Sequence, residues 1–276
     1  SRRCSWLAYF SPVDRTGTPA TGSLDFYHDY YHSSLPAVTQ PRLGGERDAR
    51  REQILRPVEG VLSEEGSKTV PNTRAYWVVD PLDGTTNFVH NYPSYAVSIA
   101  LQVEGELEVG CVFDAVNGRA YTARRGGGAW FEGQRLTVSN AQRVSESLLV
   151  TGFPYDRREK VDWYLSFVRE FLLRGRGLRR AGAAAMDFVA LASGAVDGYW
   201  EFGLNPWDVA AGVLLVQEAG GTVSDMEGGP LTIEQPRLLA TKPAPRPIRS
   251  AVPARARRFA TSTVTCVRTP RLDATR

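Results

Sequence analysis

Apolar and polar positions separate most clearly in the middle of the chain. Trp77 to Val79 is a short apolar run that predicts a buried strand, and YAVSIALQV (Tyr95–Val103) predicts a longer one. The next stretch, Gly105 to Phe131, is punctuated at Gly105, at Asn117-Gly118 and at Gly126 to Gly128, the marks of successive hairpins. SLLVTG (Ser147–Gly152) reads as another strand. From Glu159 to Arg174 the residues Val161, Tyr164, Leu165, Val168, Phe171 and Leu172 recur at helical spacing. Ala183 to Ser193 predicts a second helix and VDGYWEF a strand. Pro206 to Ala219 predicts a third helix, with Asn205 as N-cap and proline in the first position, and GTVSD a last strand. Strands in a block that then alternate with helices favour a layered mixed fold.

The two ends lack this order. Ser1 to about Gly45 has no period, and Glu46 to Leu62 is compatible with a helix. From about Leu238 the chain turns Pro- and Arg-rich, which predicts a loosely attached tail. The expected organisation is an atypical N-terminal segment (1–45), a folded domain (46–237) and a tail (238–276). Within the domain, a first part covers about 61–150 and a second α/β part about 151–237.

Composition narrows the class. The 276 residues are 42% hydrophobic with 26 glycines and 17 prolines, enough for a sizeable core joined by many turns. A net charge of +3 gives no case for nucleic acid or a membrane as partner. No apolar run approaches the ~20 residues that cross a bilayer, and the apolar run in SRRCSWLAYFSPVD is too short for a signal peptide. Cys4, Cys111 and Cys266 lie far apart without metal-ligand spacing, which favours a reducing compartment; the expected location is the cytoplasm.

The candidate chemistry begins in WVVDPLDGTTNF. The apolar strand ends at Asp80, Pro81 fixes the backbone, and Gly84 permits a sharp turn or close ligand approach. Asp80 and Asp83 on such a turn can aim at one point, where they repel each other and burial raises at least one pKa. A divalent cation relieves that conflict, and hard oxygen ligands suit Mg²⁺. The N–H groups of Gly84 and Thr85 can then receive phosphate oxygens. The alternative is an Asx-type turn in which the two acids cap local backbone. Glu64 and Glu65 in SEEG fit solvated surface as well as a ligand role. Asp208, third in its helix, fits complementation of the helix dipole, yet its neighbours Trp207, Val209 and Ala210 are apolar and a buried acid needs a partner. Glu201, at the end of a predicted strand, is a further inward candidate.

Together, Glu64, the run Asp80-Pro81-Leu82-Asp83-Gly84-Thr85-Thr86-Asn87-Phe88, and Trp207-Asp208 in PWDVAAG with EAGG behind it resemble the inositol monophosphatase family of lithium-sensitive, Mg²⁺-dependent phosphatases. The resemblance spans roughly Val61 to Asp225. It implies the layered α-β-α-β-α sandwich shared with fructose-1,6-bisphosphatase. It also implies a small-molecule phosphate ester as substrate, myo-inositol monophosphate or a related polyol or sugar phosphate, two to three Mg²⁺ per active site, and a homodimer. In the implied site two ions about 4 Å apart clamp the phosphate and acidify a water for in-line attack. One ion uses Glu64, Asp80 and the Leu82 carbonyl, the other Asp80, Asp83 and Asp208, and a weaker third sits near Glu64. Thr85 orients the water, so the catalytic set is Asp80, Asp83 and Thr85. No phosphoenzyme forms, and His28, His32 and His90 have no role. Glu201 takes the family's position for gripping ring hydroxyls. Gly182, Ala183 and Ala184 contact substrate through backbone N–H groups, although the same Gly/Ala run also suits close helix packing. Leu82, Asp83, Gly84, Thr85 and Asp208 complete the substrate contacts.

The sequence departs from the pattern at both ends. Val38 and Thr39 are present, but Pro41 or Arg42 falls where the family has an Asp that prepares the water with Thr85. After Leu239 the expected strand and final helix give way to Pro-rich sequence. Two other readings therefore stay open: a relative specific for fructose-1,6-bisphosphate, histidinol phosphate or a 3′-phosphonucleotide, and a protein that binds phosphate and metal without turnover.

Overall fold

The fold is built from two sheets. In a computed structural model, residues 60–66, 68–234 and 238–241 are described. The larger sheet has seven strands in sequence order: β1 (Gly60–Ser63), β2 (Ala75–Asp83), β3 (Ala96–Val103), β4 (Glu106–Asp114), β5 (Arg119–Arg124), β6 (Gly128–Phe131) and β7 (Gln134–Arg135). Only β1 and β2 run parallel; every other neighbouring pair is antiparallel. The hairpin punctuation predicted at Gly105, Asn117-Gly118 and Gly126 to Gly128 falls at the β3–β4, β4–β5 and β5–β6 turns. After β2 comes a five-residue helix, α1 (Thr85–Val89).

The smaller sheet has the order β11-β12-β10-β8-β9, formed by β8 (Leu148–Thr151), β9 (Gly177–Arg179), β10 (Gly198–Glu201), β11 (Thr222–Asp225) and β12 (Leu238–Thr241). Three longer helices interleave with these strands: α2 (Val161–Arg174), α3 (Ala184–Ala192) and α4 (Pro206–Glu218). Helices α3 and α4 pack on each other between the two sheets. From Trp207 to Val216 the α4 residues are buried except Asp208, so this helix is apolar all round, as a central helix must be. Close approach is built into the contacts. A Cβ on Gly212 would land on the Phe188 ring of α3, and one on Gly110 of β4 would meet the Ala211 backbone at 3.0–3.1 Å.

Helix α2 covers the small sheet with Tyr164, Phe167 and Phe171, which join Trp200, Phe202, Leu149 and Leu239 in an aromatic cluster. Val161, Leu165 and Leu172, predicted for its buried face, are exposed. The apolar period ran on past the width of the contact. The described layers thus read sheet, helix pair, sheet, helix, four of the five layers of the expected sandwich, and one core cluster runs from Leu62 to Ala240 across residue 150.

Two expectations need correction. Gly60 to Ser63, the end of the predicted 46–62 helix, is a strand: β-branched Val61 and fully buried Leu62 pair in parallel with Trp77 and Val78. Residues 46–59 lie outside the described residues. The tail does not begin at Leu238. Leu238 to Thr241 is buried throughout and is hydrogen-bonded on both sides, to β10 and β11. Its four residues are apolar or β-branched, and the Pro/Arg composition that suggested a tail belongs to the sequence after Thr241. Among the described residues no helix is long and apolar enough to cross a membrane. His28, His32, Val38, Thr39, Pro41, Arg42, Cys4 and Cys266 lie outside the described residues.

Candidate active site

The two motif aspartates share a face because β2 is irregular. Asp80 pairs with Ser98 and Asp83 with Ala96, so three steps along β2 match two along β3. One extra residue in a bulge undoes the alternation that would have put i and i+3 on opposite faces. Pro81 sits inside the bulge, where its missing N–H breaks no ladder bond. The Leu82 N–H donates to Asp80 Oδ1 at 2.9 Å, and the Thr85 hydroxyl donates to the Leu82 carbonyl at 3.1 Å. The predicted local Asx cap is therefore present at Asp80, together with convergence on the second acid.

The face carrying these acids points at the start of α4. The Ser98 hydroxyl donates to the Trp207 carbonyl at 3.1 Å, which sets Asp208 opposite Asp80. Asp208 Oδ2 accepts from the Asn205 backbone N–H at 2.7 Å, so the helix-end role foreseen for it holds as well. The charge of Asp208 also acts on Asp80. Glu64 follows β1, with its N–H on the Val79 carbonyl, and its charge acts on both Asp80 and Asp208. Lys68 lies over the Trp207 ring, 5.9 Å from its centroid.

Asp83 reaches in another direction. Its Oδ1 accepts the Ala184 N–H at 3.1 Å and its Oδ2 the Ala185 N–H at 2.8 Å, which caps α3. The Ala184 N–H, expected to face a substrate, is thus spent on Asp83 in this conformation. Gly84, at φ 84°, lies where a side chain would meet the Ser94 carbonyl and Ala183. Asn87, given no role from sequence, ties the turn together by donating to Ser94 O at 2.7 Å and to Ala181 O at 2.9 Å. Its signal was the unbroken Thr-Thr-Asn run after Gly84. Gly182, at φ 87°, follows Arg180, whose guanidinium folds back over it.

Glu201 is inward, as predicted. The Tyr199 hydroxyl donates to its Oε2 at 2.6 Å, and a Cβ on Gly152 would land on its carboxylate. Sequence reasoning missed Asp187 of α3, which is 3% exposed, feels the charge of Glu201 and acts electrostatically on Tyr199. A lone acid inside AAAMDFVALA was the available signal, since an apolar helix gives it no solvent.

The charges add up to a demand for a cation. Burial is the largest cause pushing all four acids up, Asp83 to about 8 and Glu201 to about 7. Asp80 and Asp208 are raised too; at Asp80 the charges of Asp83, Asp208 and Glu64 add to burial. Among the described residues none of these acids forms an ion pair with Lys or Arg. The donor set is all hard oxygen, which fits Mg²⁺ rather than a softer metal. Among the described residues no three acidic, His or Cys side chains already form a closed ligand set. Each carboxylate oxygen that accepts one N–H nevertheless keeps a second lone pair, so the backbone bonds orient the ligands without exhausting them.

A family model described as the inositol monophosphatase family matches residues 48–259, further in both directions than the motifs themselves reach. The chain is 44% identical over 189 residues to a Pseudomonas aeruginosa protein named Nus factor SuhB, covering 67% of this chain and 70% of that one. It is 42% identical over 199 residues to an inositol-1-monophosphatase of Rhizobium meliloti, covering 71% and 75%. The solved structure of the extragenic suppressor protein suhB from Bartonella henselae superposes with a TM-score of 0.63 at 38% identity, covering 74% of this chain and 84% of that one.

Proposed function

The chain belongs to the inositol monophosphatase family, and from that premise we propose that it is a Mg²⁺-dependent phosphomonoesterase acting on myo-inositol monophosphate or a closely related polyol phosphate. The observation that carries this reading is that Glu64, Asp80, Asp83 and Asp208 lie close enough for their charges to act on one another and, among the described residues, form no ion pair with Lys or Arg. Mg²⁺ held by these carboxylates and the Leu82 carbonyl would neutralise the phosphate and acidify a water for in-line attack.

The chain's own groups do the rest. Thr85 donates its proton to the Leu82 carbonyl, which leaves its oxygen lone pairs to accept from an attacking water and fix that water's direction. The bulge puts Asp80 and Asp83 on one face of β2 before substrate arrives, so both charges are on the side where the reaction would occur. Glu201, oriented by Tyr199, accepts a hydroxyl of the polyol. That contact favours inositol phosphates over esters with few hydroxyls.

The test is phosphate release from myo-inositol 1-phosphate, glycerol 2-phosphate, fructose 1,6-bisphosphate, histidinol phosphate and a 3′-phosphonucleotide, with Mg²⁺ and with EDTA. Mg²⁺-dependent release fastest from inositol phosphate is expected; no release from any ester would overturn the proposal. The 44% identity to a protein named as a Nus factor supports a second reading, a role that needs no turnover. Under it, Asp80→Asn leaves the protein's cellular role intact while abolishing any phosphate release.

A further inference from the structure

Ser98 lies between Ala96 and Ala100 on the inward face of β3, and both alanines belong to the core that this strand shares with α4. Ser98 is 1% exposed, so its hydroxyl depends on a protein partner, and it donates to the Trp207 carbonyl at 3.1 Å. Two relationships give that bond its meaning. Ser98 is the ladder partner of Asp80, so the two side chains stand next to each other on one face. The carbonyl it holds belongs to the peptide that joins Trp207 to Asp208. One serine therefore stands beside one acid of the site and grips the backbone of another. The neighbouring contacts of α4 do not do this. The Asn205 N–H on Asp208 Oδ2, at 2.7 Å, orients the carboxylate within its own turn. The Trp207 indole N–H is buried without a hydrogen-bond partner among the described residues. One turn later Ala211 lies against Gly110. That contact sets how near the helix comes to the sheet, but it is non-directional and fixes neither where the helix stops nor how it is turned.

We propose that Ser98 is a positioning residue for the metal site: its hydrogen bond to the Trp207 carbonyl fixes the start of α4 against β3 in the register that brings Asp208 to Asp80. The inference rests on the reading of Asp80 and Asp208 as Mg²⁺ ligands. Ser98 is enclosed and its one proton is committed to Trp207, so it acts through Asp208 and is not itself a ligand. Mg²⁺ demands near-ideal octahedral geometry, and a helix end free to slide or turn cannot supply it. Groups behind the ligands set metal affinity by holding the ligands in place.

The experiment titrates Mg²⁺ by calorimetry into the EDTA-treated full chain, as wild type and as Ser98→Ala, Ser98→Cys and Ser98→Thr. Alanine removes the donor, cysteine keeps the shape with a weak donor, and threonine keeps the hydroxyl. Ser98→Ala should weaken Mg²⁺ binding about tenfold, with Ser98→Thr within about threefold of wild type and Ser98→Cys between the two. Because Ser98 acts through Asp208, adding Ser98→Ala to Asp208→Asn should change the affinity less than about twofold, whereas added to Glu64→Gln it should keep its full effect. Unchanged affinity in Ser98→Ala, even with a lower melting temperature in EDTA, would make Ser98 a packing residue and overturn the inference. So would a full loss in the Asp208→Asn background, or threonine and cysteine both binding no better than alanine. If wild type takes up no Mg²⁺, the metal reading falls, and amide hydrogen exchange in the metal-free protein still decides the register. Ser98→Ala should speed exchange in the first turn of α4 about fivefold and leave α3 as in wild type; equal exchange in α4 would overturn the inference.

Discussion

Asp83 and Ala185 are 102 residues apart in the chain, and the carboxylate of one lies 2.8 Å from the backbone nitrogen of the other. The same side chain proposed to hold metal therefore also caps α3, whereas among the described residues the Asp80 carboxylate accepts a hydrogen bond within its own turn, from the Leu82 N–H. The two motif acids should respond differently to mutation.

Asp80→Asn should lower phosphate release at least about a hundredfold, through loss of a charge at a preorganised site. It should at the same time raise the melting temperature in EDTA, because it removes one of several buried like charges. Asp83→Ala should lower both, costing about 1–3 kcal/mol in denaturant unfolding from the two orphaned N–H groups. Matching stability changes in the two variants would contradict this division.

The metal-free protein should lose stability as pH rises. The Asp83 and Glu201 carboxyls, raised by burial to about 8 and about 7 when folded, have ordinary values near 4 when unfolded. Their protonation stabilises the fold fully below about pH 4, and this is lost as pH climbs through 7 and 8. Mg²⁺ binds the ionised form, so the gain in melting temperature on adding it should grow from pH 6 to pH 9. A gain that is the same at both ends, or larger at pH 6, would argue against a carboxylate cluster that binds metal.

Glu201→Gln should weaken use of inositol phosphate more than of glycerol phosphate, by roughly 1.5–3 kcal/mol. Gly152→Ala should copy that selectivity loss without touching Glu201 chemically, since its new methyl would occupy the carboxylate's place. The ratio of kcat/KM for the two esters is the measurement. Unchanged ratios in both variants would make Glu201 a structural residue.

Gly212→Val tests the helix pair. A side chain there would enter the Phe188 ring, so overpacking should cost about 1–3 kcal/mol. Urea unfolding reads it, and a loss under about 0.5 kcal/mol, the usual size of a surface change, would show that α3 can yield.

Much of this arrangement was legible in the residues. Asp80, Asp83 and Asp208 carried a motif with a physical reason for each position, and the central helices and hairpins followed from apolar spacing and glycine. The bulge was not legible, because nothing in the spacing of Asp80 and Asp83 says whether the ladder slips between them. Glu201 was foreseen from its strand end, but Gly152 behind it was not, since a glycine's emptiness matters only once the neighbour is known. The strand at Leu238 was hidden by the proline-rich sequence after it, and the exposed side of α2 by an apolar period wider than the surface it covers.

Strand β12 is the last of the described strands to leave the ribosome, yet it lies inside its sheet, between β10 and β11. Until residue 241 has been synthesised, β11 lacks its one partner among the described strands and β10 presents an open edge. The small sheet therefore closes after translation of the whole region, and a released chain that ended between residues 225 and 238 would expose the β10 edge as a template for other chains.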